Sequence, residues 1–391
     1  MNGRDVIAVV GGGPAGALAA EMLAHAGRNV VLFDEKLAWE KPCGGGITQK
    51  ALQQYPFLHD ATVQRNMVSA CEFISPSGRR TTLELDQPIA IFSRRILNSL
   101  LLDRAQRSGA DLRNERVTAI ERVNSHFAVH AANTTVHANF VVLAAGARNS
   151  FRSQFYQAFQ PADLMATVGY FIPGSSTAMQ IRFLPRLDGY IWTFPRCDHF
   201  SAGICGRMNE IPTAELRRQL DSFLAQENYS LTGATVYAHI LPAPRASTLK
   251  RIRPVGDGWA LIGDAAGYVD PITGEGLYYA LRSADLLAQA IISGKPQSYY
   301  DLLHRDFLPD LIEGAHYAER FYHGTFLGEH ILERMVQFAS ESAKFGDLLR
   351  DLFSGAQGYI GLRSRAYRSL PRVICDFVAS VGGWNSVRKR A

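Results

Sequence analysis

Apolar and polar positions follow their most regular pattern in the first 34 residues of the chain. Residues 6–10 form a short β-branched apolar run that ends at Gly11, and residues 30–33 form a second apolar run. Between the two runs, apolar residues recur at helical spacing until Gly27 ends the pattern; they are Ala15, Leu18, Ala19, Met22, Leu23 and Ala26. This pattern predicts one βαβ unit, in which a crossover helix joins two parallel strands.

The remaining pattern predicts an α/β protein. Residues 96–107 have the spacing of a helix, and residues 140–144 form a continuous apolar run that is typical of a buried parallel strand. Residues 165–206 are rich in aromatic and β-branched residues between turn signals, which predicts a mostly antiparallel sheet. Residues 260–262 then return a strand to the first sheet, and residues 275–350 are predicted to be largely helical.

Composition and charge exclude several classes of protein. The chain has 47% hydrophobic and 20% charged residues, as an ordinary globular protein does, and its 391 residues favour two intertwined domains. The formal charge of +5 reflects 41 basic and 36 acidic residues, a surplus too small to indicate a nucleic-acid partner. Much of that surplus lies within residues 363–391, which hold seven basic residues and one acidic residue.

Cysteine spacing and hydropathy limit the cellular locations that the sequence favours. The five cysteines are scattered without CxxC or Cys/His spacing, which predicts no metal site and fits a reducing cytoplasm. The apolar run before Gly11 is too short for a signal peptide, and no stretch approaches the roughly 20 apolar residues of a spanning helix. We therefore expect a cytoplasmic protein that meets a membrane at most at its surface.

Three glycines between the first strand and its helix match the dinucleotide fingerprint GxGxxG. Gly11 makes the tight turn, Gly13 lets the backbone approach a pyrophosphate, and Gly16 packs the helix on the strand. The pyrophosphate then meets the N-terminus of the helix, which begins at Pro14 and Ala15, and its unpaired N–H groups. The sequence therefore predicts a dinucleotide site at this turn.

Two carboxylates extend the predicted dinucleotide site, and the second of them, far downstream, separates FAD from NAD(P). Asp34 ends the second strand, where a carboxylate can accept hydrogen bonds from a ribose diol, and Glu35 is the alternative for this role. Downstream, a predicted strand ends in Gly263 and Asp264, which places a second carboxylate beside the ribityl or pyrophosphate part of a cofactor. A simple NAD dehydrogenase needs no such second contact, so the pair favours FAD.

A glycine-rich turn follows this second carboxylate. Its residues are Pro271, Gly274, Glu275 and Gly276, and they precede a helix predicted over residues 277–291. The positive end of that helix can stabilise negative charge on a reduced flavin. We therefore include the four residues among the cofactor-binding candidates.

Two more segments complete a resemblance to a known family. Residues 41–47 (KPCGGGI) resemble the CGG segment of the geranylgeranyl reductases, and residues 189–199 (GYIWTFPRCDH) resemble their YxWxFPK stretch. With the two motifs above, the chain resembles the geranylgeranyl reductase family, within the FAD enzymes shaped like p-hydroxybenzoate hydroxylase. The resemblance spans residues 6 to about 295.

The resemblance implies a Rossmann-like FAD-binding domain interleaved with a substrate domain that is built on a mostly antiparallel sheet. A helical C-terminal region completes the expected α/β fold. The predicted divisions are residues 1–60, 88–155 and 250–300 for the FAD-binding domain, 61–87 and 156–249 for the substrate domain, and 301–391 for the helical region.

The resemblance also assigns site residues outside the two motifs. The further cofactor-binding candidates are Cys43, Gly44, Gly45, Arg94, Val117 and Gly146. The substrate-binding candidates are Gly45, Gly46, Tyr190, Trp192, Phe194, Pro195 and Arg196. The catalytic candidates are Cys43, Tyr190 and Trp192.

Elementary chemistry supports part of this assignment. Consecutive glycines let a loop lie against a flat ring, which brings Cys43 near the flavin; the alternative is a buried thiol that only packs. Tyr190, Trp192 and Phe194 alternate, so they share one strand face and suit an apolar slot for a polyprenyl chain. Ordinary core packing is the alternative for this stripe.

The chain departs from the family pattern in three places. Arg196 stands where the reductases usually have lysine, which keeps the charge but changes its shape. Asn98 replaces the aspartate of the segment that contains the FAD-contacting arginine, here Arg94. Residues 145–150 lack the Asp-Gly pair of the GADG segment, so the interaction that this pair supports with a nicotinamide donor is not predicted.

The resemblance implies that reduced FAD delivers hydride to a carbon–carbon double bond of an isoprenoid chain, while an acid or water protonates the other carbon. The candidate proton donors are Cys43, Tyr190 and His199. NADPH or another donor, such as a ferredoxin-like protein, would bind transiently to reduce the FAD.

Two alternatives stay open. A flavin-dependent monooxygenase or halogenase can use the same fold, although the run from Tyr190 to Pro195 is closer to the reductase segment than to the halogenase WxWxIP. A non-catalytic flavin- and lipid-binding protein is the other alternative. The basic C-terminus around residues 370–381 suggests peripheral membrane contact, but a packed final helix with a solvated tail explains it better.

Overall fold

The chain has a mixed α/β fold, which a computed structural model describes for residues 5–60, 62–148, 150–326, 328–356, 358–362, 364–365 and 368. Its strands are β1 (Val6–Val10), β2 (Asn29–Phe33), β3 (Gly46–Ile47), β4 (Asn66–Ile74), β5 (Arg80–Ile91), β6 (Asp111–Arg113), β7 (Val117–Val123), β8 (His126–Ala131), β9 (Thr135–Ala138), β10 (Phe140–Leu143), β11 (Leu164–Pro173), β12 (Ala178–Phe183), β13 (Tyr190–Pro195), β14 (His199–Arg207), β15 (Thr235–Pro242), β16 (Val255–Gly256), β17 (Trp259–Leu261), β18 (Thr325–Phe326) and β19 (Glu329–His330).

The α-helices complete the set of elements. They are α1 (Pro14–His25), α2 (Gln49–Gln54), α3 (Arg94–Arg107), α4 (Arg152–Phe155), α5 (Thr213–Gln226), α6 (Ala246–Arg251), α7 (Leu277–Ile292), α8 (Tyr299–Arg305), α9 (Leu308–His323), α10 (Ile331–Glu341) and α11 (Ala343–Phe353).

The first sheet has six strands in the order β16-β17-β10-β1-β2-β6, all parallel except for the β16–β17 pair. The predicted βαβ unit is confirmed: α1 joins β1 to β2 and ends before Gly27, whose φ of +76° suits glycine. Helix α1 contacts α3 and α7, and the β7-β8-β9 sheet contacts β1 and β10. The central strands are therefore covered on both faces, which explains their continuous apolar runs.

The second sheet has eight strands in the order β15-β11-β14-β13-β12-β4-β5-β3. It is mostly antiparallel, as predicted, with one parallel pair between β12 and β4. Helix α5 contacts β11 and β14, whereas α10 and α11 contact β5. Strand β13 alternates between these environments: Tyr190 and Trp192 belong to the apolar cluster of the C-terminal helices, and Ile191 belongs to the cluster of α5.

The C-terminal part of the described chain is helical from α7 to α11, which agrees with the prediction except at one point. A short hairpin, β18–β19, separates α9 from α10; Gly324 precedes the hairpin and Gly328 lies in its turn. No helix among the described residues is long and apolar enough to span a bilayer. Residues 370–381, for which membrane contact was considered, lie outside the described residues, and the domain boundaries stay a prediction.

Candidate active site

Two adjoining cavities define the candidate active site. The larger, of about 520 Å³, lies where β1, β2 and β10 end, which is the edge at which parallel sheets bind dinucleotides. The smaller, of about 140 Å³, lies beside the second sheet. The two cavities share Pro42, Cys43, Leu241, Val269, Gly274, Gly276 and Leu277. A ligand in one cavity can therefore touch a ligand in the other.

The glycine turn after β1 has the geometry of a phosphate-binding loop. Gly11 has φ +111°, and a Cβ atom there would lie 2.5 Å from the Ala144 carbonyl oxygen. A Cβ at Gly16 would lie 1.8 Å from the Gly11 carbonyl oxygen, so this glycine lets the helix pack on the strand. A Cβ at Gly13 would meet nothing within 4 Å, because this position faces the larger cavity. The turn thus leaves room for a ligand only at Gly13.

The N-terminus of helix α1 faces the ligand space at Gly13. Gly13 is its N-cap residue, no side chain caps it, and its first turn contains no acidic residue. The Asp34 carboxylate accepts hydrogen bonds from the backbone N–H groups of Gly12, at 2.7 Å, and Leu37, at 2.8 Å. Asp34 therefore holds the glycine turn while its side chain also lines the cavity, where it can meet a ribose.

Basic side chains and an unsatisfied donor show that the larger cavity fits an anionic dinucleotide. Arg94 is 3% exposed and donates from Nη2 to Asn98 Oδ1 at 3.3 Å, while its Nε atom has no hydrogen-bond partner among the described residues. Lys41 Nζ lies 3.3 Å from Asp264 Oδ2, and Arg148 also lines the cavity. Asn98 thus supplies the acceptor that the family aspartate would supply, and the cationic lining suits a pyrophosphate.

His239 is a cavity residue that the sequence did not single out. It lies on β15, and its Nε2 atom is buried without a hydrogen-bond partner among the described residues. Burial, and next the nearby Lys41 ammonium, lower the pKa of His239 from 6.5 to about 3, although Asp264 opposes this shift. The imidazole is therefore neutral at physiological pH.

The pKa of His239 predicts acid sensitivity of the FAD-free protein. Below its usual pKa of 6.5, the unfolded chain binds a proton that folded His239 does not bind, so stability falls as pH decreases from 6.5 towards 3. We expect the change in the free energy of unfolding between pH 7 and pH 5, measured with urea, to be roughly 1 to 2 kcal/mol less favourable in wild type than in His239→Gln. The exposed His137→Gln should keep the wild-type pH dependence. Equal pH dependence in all three proteins would contradict the assignment.

The second glycine-rich turn connects the two cavities. Gly274 has φ +69°, and a Cβ there would lie 2.8 Å from the Tyr190 hydroxyl oxygen. That hydroxyl donates a hydrogen bond to the Thr273 carbonyl oxygen. Gly276 is the N-cap residue of α7, and the Glu275 carboxylate accepts a hydrogen bond from the Tyr278 N–H at 2.6 Å. Tyr190 thus fixes the turn that leads into the second helix N-terminus.

The CGG loop packs tightly inside the protein. A Cβ at Gly44 would lie 2.4 Å from the Phe194 ring, and a Cβ at Gly45, which has φ +86°, would lie 2.2 Å from the Phe92 carbonyl oxygen. The Cys43 carbonyl oxygen accepts hydrogen bonds from Arg196 Nη2 at 2.6 Å and from Ser201 Oγ at 2.7 Å. The glycines therefore already serve a packing role in this loop.

Two substrate-binding predictions need correction. Pro195 and Arg196 line neither cavity. Arg196 is fully buried, where it pairs with Glu40 and donates to the Cys43 carbonyl oxygen, because β13 ends at Pro195 and the alternation of the strand does not extend to Arg196. His199, considered as a proton donor, also lines neither cavity and lies 3.1 Å from Arg196 Nη1.

The other predicted residues line the cavities in two groups. The larger cavity contacts Gly11, Gly13, Pro14, Ala15, Asp34, Cys43, Arg94, Val117, Gly146, Asp264, Gly274 and Gly276. The smaller cavity alone contacts Gly44, Gly45, Gly46, Tyr190, Trp192, Phe194, Pro271 and Glu275. Gly16 and Gly263 line neither cavity and pack elements together: a Cβ at Gly263 would lie 3.0 Å from Ala15 Cβ.

Most of the smaller cavity's wall comes from residues that sequence reasoning missed. They include apolar or aromatic residues from strands and helices far apart in sequence: Ile89, Met165, Met179, Ile181, Leu241, Tyr322 and Phe353. Each lies in an ordinary apolar pattern, so no local signal distinguishes it from core. With Tyr190, Trp192 and Phe194, they form a mostly apolar slot next to the dinucleotide site.

Comparisons with known proteins agree with this arrangement. A family model described as lycopene cyclase protein matches residues 5–335. The geranylgeranyl diphosphate reductase of Synechocystis sp. (strain ATCC 27184 / PCC 6803 / Kazusa) is 30% identical over 317 residues, which cover 73% of this chain and 75% of that protein.

Two solved structures share the fold. A geranylgeranyl bacteriochlorophyll reductase-like protein from Thermoplasma acidophilum has a TM-score of 0.76 at 22% identity, covering 93% of this chain and 99% of its own. A variant of the halogenase PltM in complex with FAD has a TM-score of 0.66 at 19% identity, covering 97% of this chain and 92% of its own. The predicted Rossmann-like fold is confirmed.

The glycine turn, the two helix N-termini and the adjoining apolar slot thus coincide with an extended match in sequence. The matched model covers most of the chain, and the reductase relative reaches 30% identity over three quarters of its own length. The predicted resemblance is therefore confirmed. This chain is an enzyme that belongs to the lycopene cyclase protein family by its model and, by its relatives, to the FAD-dependent geranylgeranyl reductases.

Proposed function

We propose that this enzyme reduces carbon–carbon double bonds of an isoprenoid chain while FAD occupies the larger cavity. The observation that carries the proposal is the shared wall of the two cavities, at Cys43, Gly274 and Gly276. A dinucleotide in one cavity and an apolar chain in the other would meet at this wall. Hydride transfer requires such direct contact between the reacting atoms.

Named residues would hold the cofactor. The N-terminus of α1 at Gly13 and the Arg94 guanidinium would bind the pyrophosphate, and Asp34 would bind the ribose. The N-terminus of α7 at Gly276 would lie near the flavin and favour negative charge there. When bound and reduced, FAD supplies a hydride.

The apolar slot would orient the substrate and exclude water. An isolated alkene is a poor hydride acceptor, so orientation and a dry site matter more here than for a polarised substrate. Trp192 and Phe194 from β13 and Met179 and Ile181 from β12 supply the apolar walls. A lipid-borne or free isoprenoid chain fits this lining better than a polar metabolite does.

The electron donor would bind transiently. The sequence contains one GxGxxG turn and lacks the Asp-Gly pair of the GADG segment, so it offers no second fingerprint for a resident nicotinamide. We propose NADPH or a small electron-transfer protein as the donor. Stopped-flow measurement of flavin reduction by each candidate identifies the donor. The true donor should reduce the flavin at a rate higher than the turnover rate of the enzyme.

Product analysis without oxygen tests the proposed function. The FAD-loaded protein is reduced with dithionite, mixed with geranylgeranyl diphosphate or a geranylgeranylated lipid, and the products are analysed by mass spectrometry. Products heavier by two hydrogens per reduced bond are expected. Absence of this gain, together with an oxygenated or halogenated product once air and halide are supplied, would assign the enzyme to the monooxygenases or halogenases.

The same assay distinguishes two further outcomes. The family model carries the description of a lycopene cyclase, and cyclisation of a polyene changes its structure without changing its mass. A cyclised product of unchanged mass would therefore replace the reductase proposal. If the bound FAD fails to turn over with every reductant and substrate supplied, the result would instead support a binding protein without catalysis.

Blocking the apolar slot should abolish product formation without affecting the cofactor. Met179 is 3% exposed and lines only the smaller cavity, so the larger side chain of Met179→Trp should occupy part of its volume of about 140 Å³ and narrow the slot. Overpacking is expected to cost about 1 to 3 kcal/mol in stability, and the rate of product formation should fall at least 10-fold. Met208→Trp is the matched control, because Met208 is 41% exposed and lines neither cavity. An active Met179→Trp enzyme would contradict this substrate site.

A further inference from the structure

Glu275 occupies an unusual position for a carboxyl group. It lies in the turn between Gly274 and Gly276, two glycines that line both cavities, and it is itself a lining residue of the apolar cavity. The sequence grouped Glu275 with the cofactor-binding residues, because the turn opens helix α7. The structure instead gives it contact with the smaller cavity alone, at the edge where the two cavities meet.

The carboxyl group of Glu275 interacts with the start of helix α7. Oε1 accepts a hydrogen bond from the Tyr278 N–H at 2.6 Å, which caps the first turn of α7. The Leu277 N–H, at the same helix end, also interacts with the carboxyl group, whereas no described lysine or arginine forms an ion pair with it. Lys50 approaches from α2, where its Nζ atom lies 4.2 Å from the centre of the Tyr278 ring. Since no described cation pairs with it, the carboxyl group can carry a proton towards the cavity.

The electrostatic surroundings favour the protonated form of this carboxyl group. Burial raises the pKa of Glu275 from 4.5 to about 8, and the buried Asp270 carboxyl group adds to the shift, while the Tyr278 N–H and Lys50 oppose it. Asp270 accepts hydrogen bonds from the backbone N–H groups of Ile272 and Thr273 and from the Tyr359 hydroxyl. Asp270 is thus well supplied with donors, whereas Glu275 has only the backbone N–H groups at the start of α7.

The two tyrosine hydroxyl groups at the apolar cavity are engaged elsewhere. Tyr190 donates to the Thr273 carbonyl oxygen, and Tyr322 donates to the Ile272 carbonyl oxygen at 2.6 Å. Burial raises the pKa of both hydroxyl groups well above 10. Neither is suited to protonate a carbon, because each would first have to break its hydrogen bond.

We propose that Glu275 is the general acid of this enzyme, and that its carboxyl proton is delivered to an isoprenoid double bond in the apolar cavity. This inference rests on the proposed function. One alkene carbon gains the hydride from reduced FAD and the other gains the proton from Glu275, as the π bond breaks and two C–H bonds form. The flavin is oxidised, the substrate is reduced by two electrons, and the Glu275 carboxylate takes up a proton from water.

Three variants test the role of this carboxyl group. Glu275→Gln keeps an oxygen that can accept from the Tyr278 N–H but removes the acidic proton, so the cap survives. Glu275→Asp keeps the acid on a shorter side chain. Asp163→Asn is the matched control: Asp163 is a buried acid that accepts hydrogen bonds from the Arg245 N–H and the Thr248 hydroxyl, and it lines neither cavity.

Each variant is measured in two ways. In single turnovers with reduced enzyme, Glu275→Gln should form product about 100-fold more slowly or worse, Glu275→Asp should recover part of the rate, and Asp163→Asn should match wild type. Infrared difference spectra of FAD-loaded wild type should show a carboxylic-acid C=O band at neutral pH that disappears above pH 8 and is missing from Glu275→Gln. The wild-type rate should fall over the same pH range.

The outcomes separate this inference from the proposed function. Wild type that forms no reduced isoprenoid overturns the proposed function, whereas an active wild type with an equally active Glu275→Gln overturns only the inference. Loss of activity in Glu275→Gln without a carboxylic-acid band in wild type also overturns it, since the residue would then only support the turn. Loss of FAD from Glu275→Gln, seen in the flavin absorption, would assign Glu275 to cofactor binding instead.

Discussion

Replacing Gly13 with aspartate is expected to abolish FAD binding while the protein stays folded. The N-cap position of α1 has φ −68° and ψ −179°, a conformation open to any residue, and a Cβ there would meet no atom within 4 Å. Aspartate is a preferred N-cap residue, so the FAD-free variant should be as stable as wild type or up to about 1 kcal/mol more stable. Its carboxylate would stand where the pyrophosphate must lie. We expect the dissociation constant for FAD to rise more than 100-fold, measured by flavin fluorescence titration.

The opposite end of the same helix supplies the control for Gly13→Asp. Gly27 follows α1 with φ +76°, and a Cβ there would also meet nothing within 4 Å. Gly27→Asp adds the same charge far from the glycine turn, so it should lower thermal stability but bind FAD with wild-type affinity. Tight FAD binding by Gly13→Asp would show that the cofactor lies elsewhere.

Replacing Arg196 with methionine is expected to cost about 3 to 5 kcal/mol in the free energy of unfolding. Arg196 is fully buried and joins Glu40 to the Cys43 carbonyl oxygen. Glu40 in turn accepts a hydrogen bond from the Arg94 N–H at 2.8 Å, which links the second sheet to the dinucleotide cavity. Methionine fills much of the same volume but leaves Glu40 without its cation. Urea unfolding of the FAD-free proteins measures the cost.

Two comparisons define what the Arg196 result means. Arg196→Lys introduces the residue that is usual in the reductase family. The lysine ammonium keeps the charge but cannot reach both acceptors as the planar guanidinium does, so this variant should be destabilised, but less than Arg196→Met. Arg218 is 77% exposed and pairs with Glu215 on a helix surface, so Arg218→Met should change stability by less than about 1 kcal/mol. A cost for Arg196→Met as small as that for Arg218→Met would contradict the structural role of the buried pair.

The parts of the fold predicted from sequence are those fixed by local patterns. The βαβ unit follows from two apolar runs, one helical repeat and glycines at the turn and the helix end, all within 34 residues. The roles of Gly11, Gly13 and Gly16 follow from the same local spacing, and the geometry at each glycine agrees with them. Short-range sterics decide these features, so the sequence alone is enough to predict them.

The features that could not be predicted depend on long-range packing. The parallel pairing of β4 with β12 brings residues about 110 positions apart side by side, and no local signal encodes that register. The same holds for the apolar slot, to which Met165, Tyr322 and Phe353 contribute from separate elements. Their patterns are those of ordinary core residues until the tertiary structure places a cavity between them.

Arg196 illustrates a second limit of sequence reasoning. Its place after Trp192 and Phe194 suggested a substrate contact, but β13 ends at Pro195, so the alternation of the strand does not extend to Arg196. The even-numbered pattern ends at Phe194, and the chain turns so that Arg196 instead reaches back to Glu40 and Cys43. Arg196, which follows the aromatic residues of β13 in sequence, therefore supports the loop at Cys43.

The most direct test of the central claim, that cofactor and isoprenoid meet at the shared wall of the two cavities, is an anaerobic single turnover. Enzyme carrying one reduced flavin is mixed with geranylgeranyl diphosphate, and flavin absorption and the mass of the isoprenoid are followed in the same sample. The account predicts that one flavin is reoxidised for each double bond lost. A flavin that stays reduced while the substrate binds, or a reduced product formed without flavin oxidation, would contradict it.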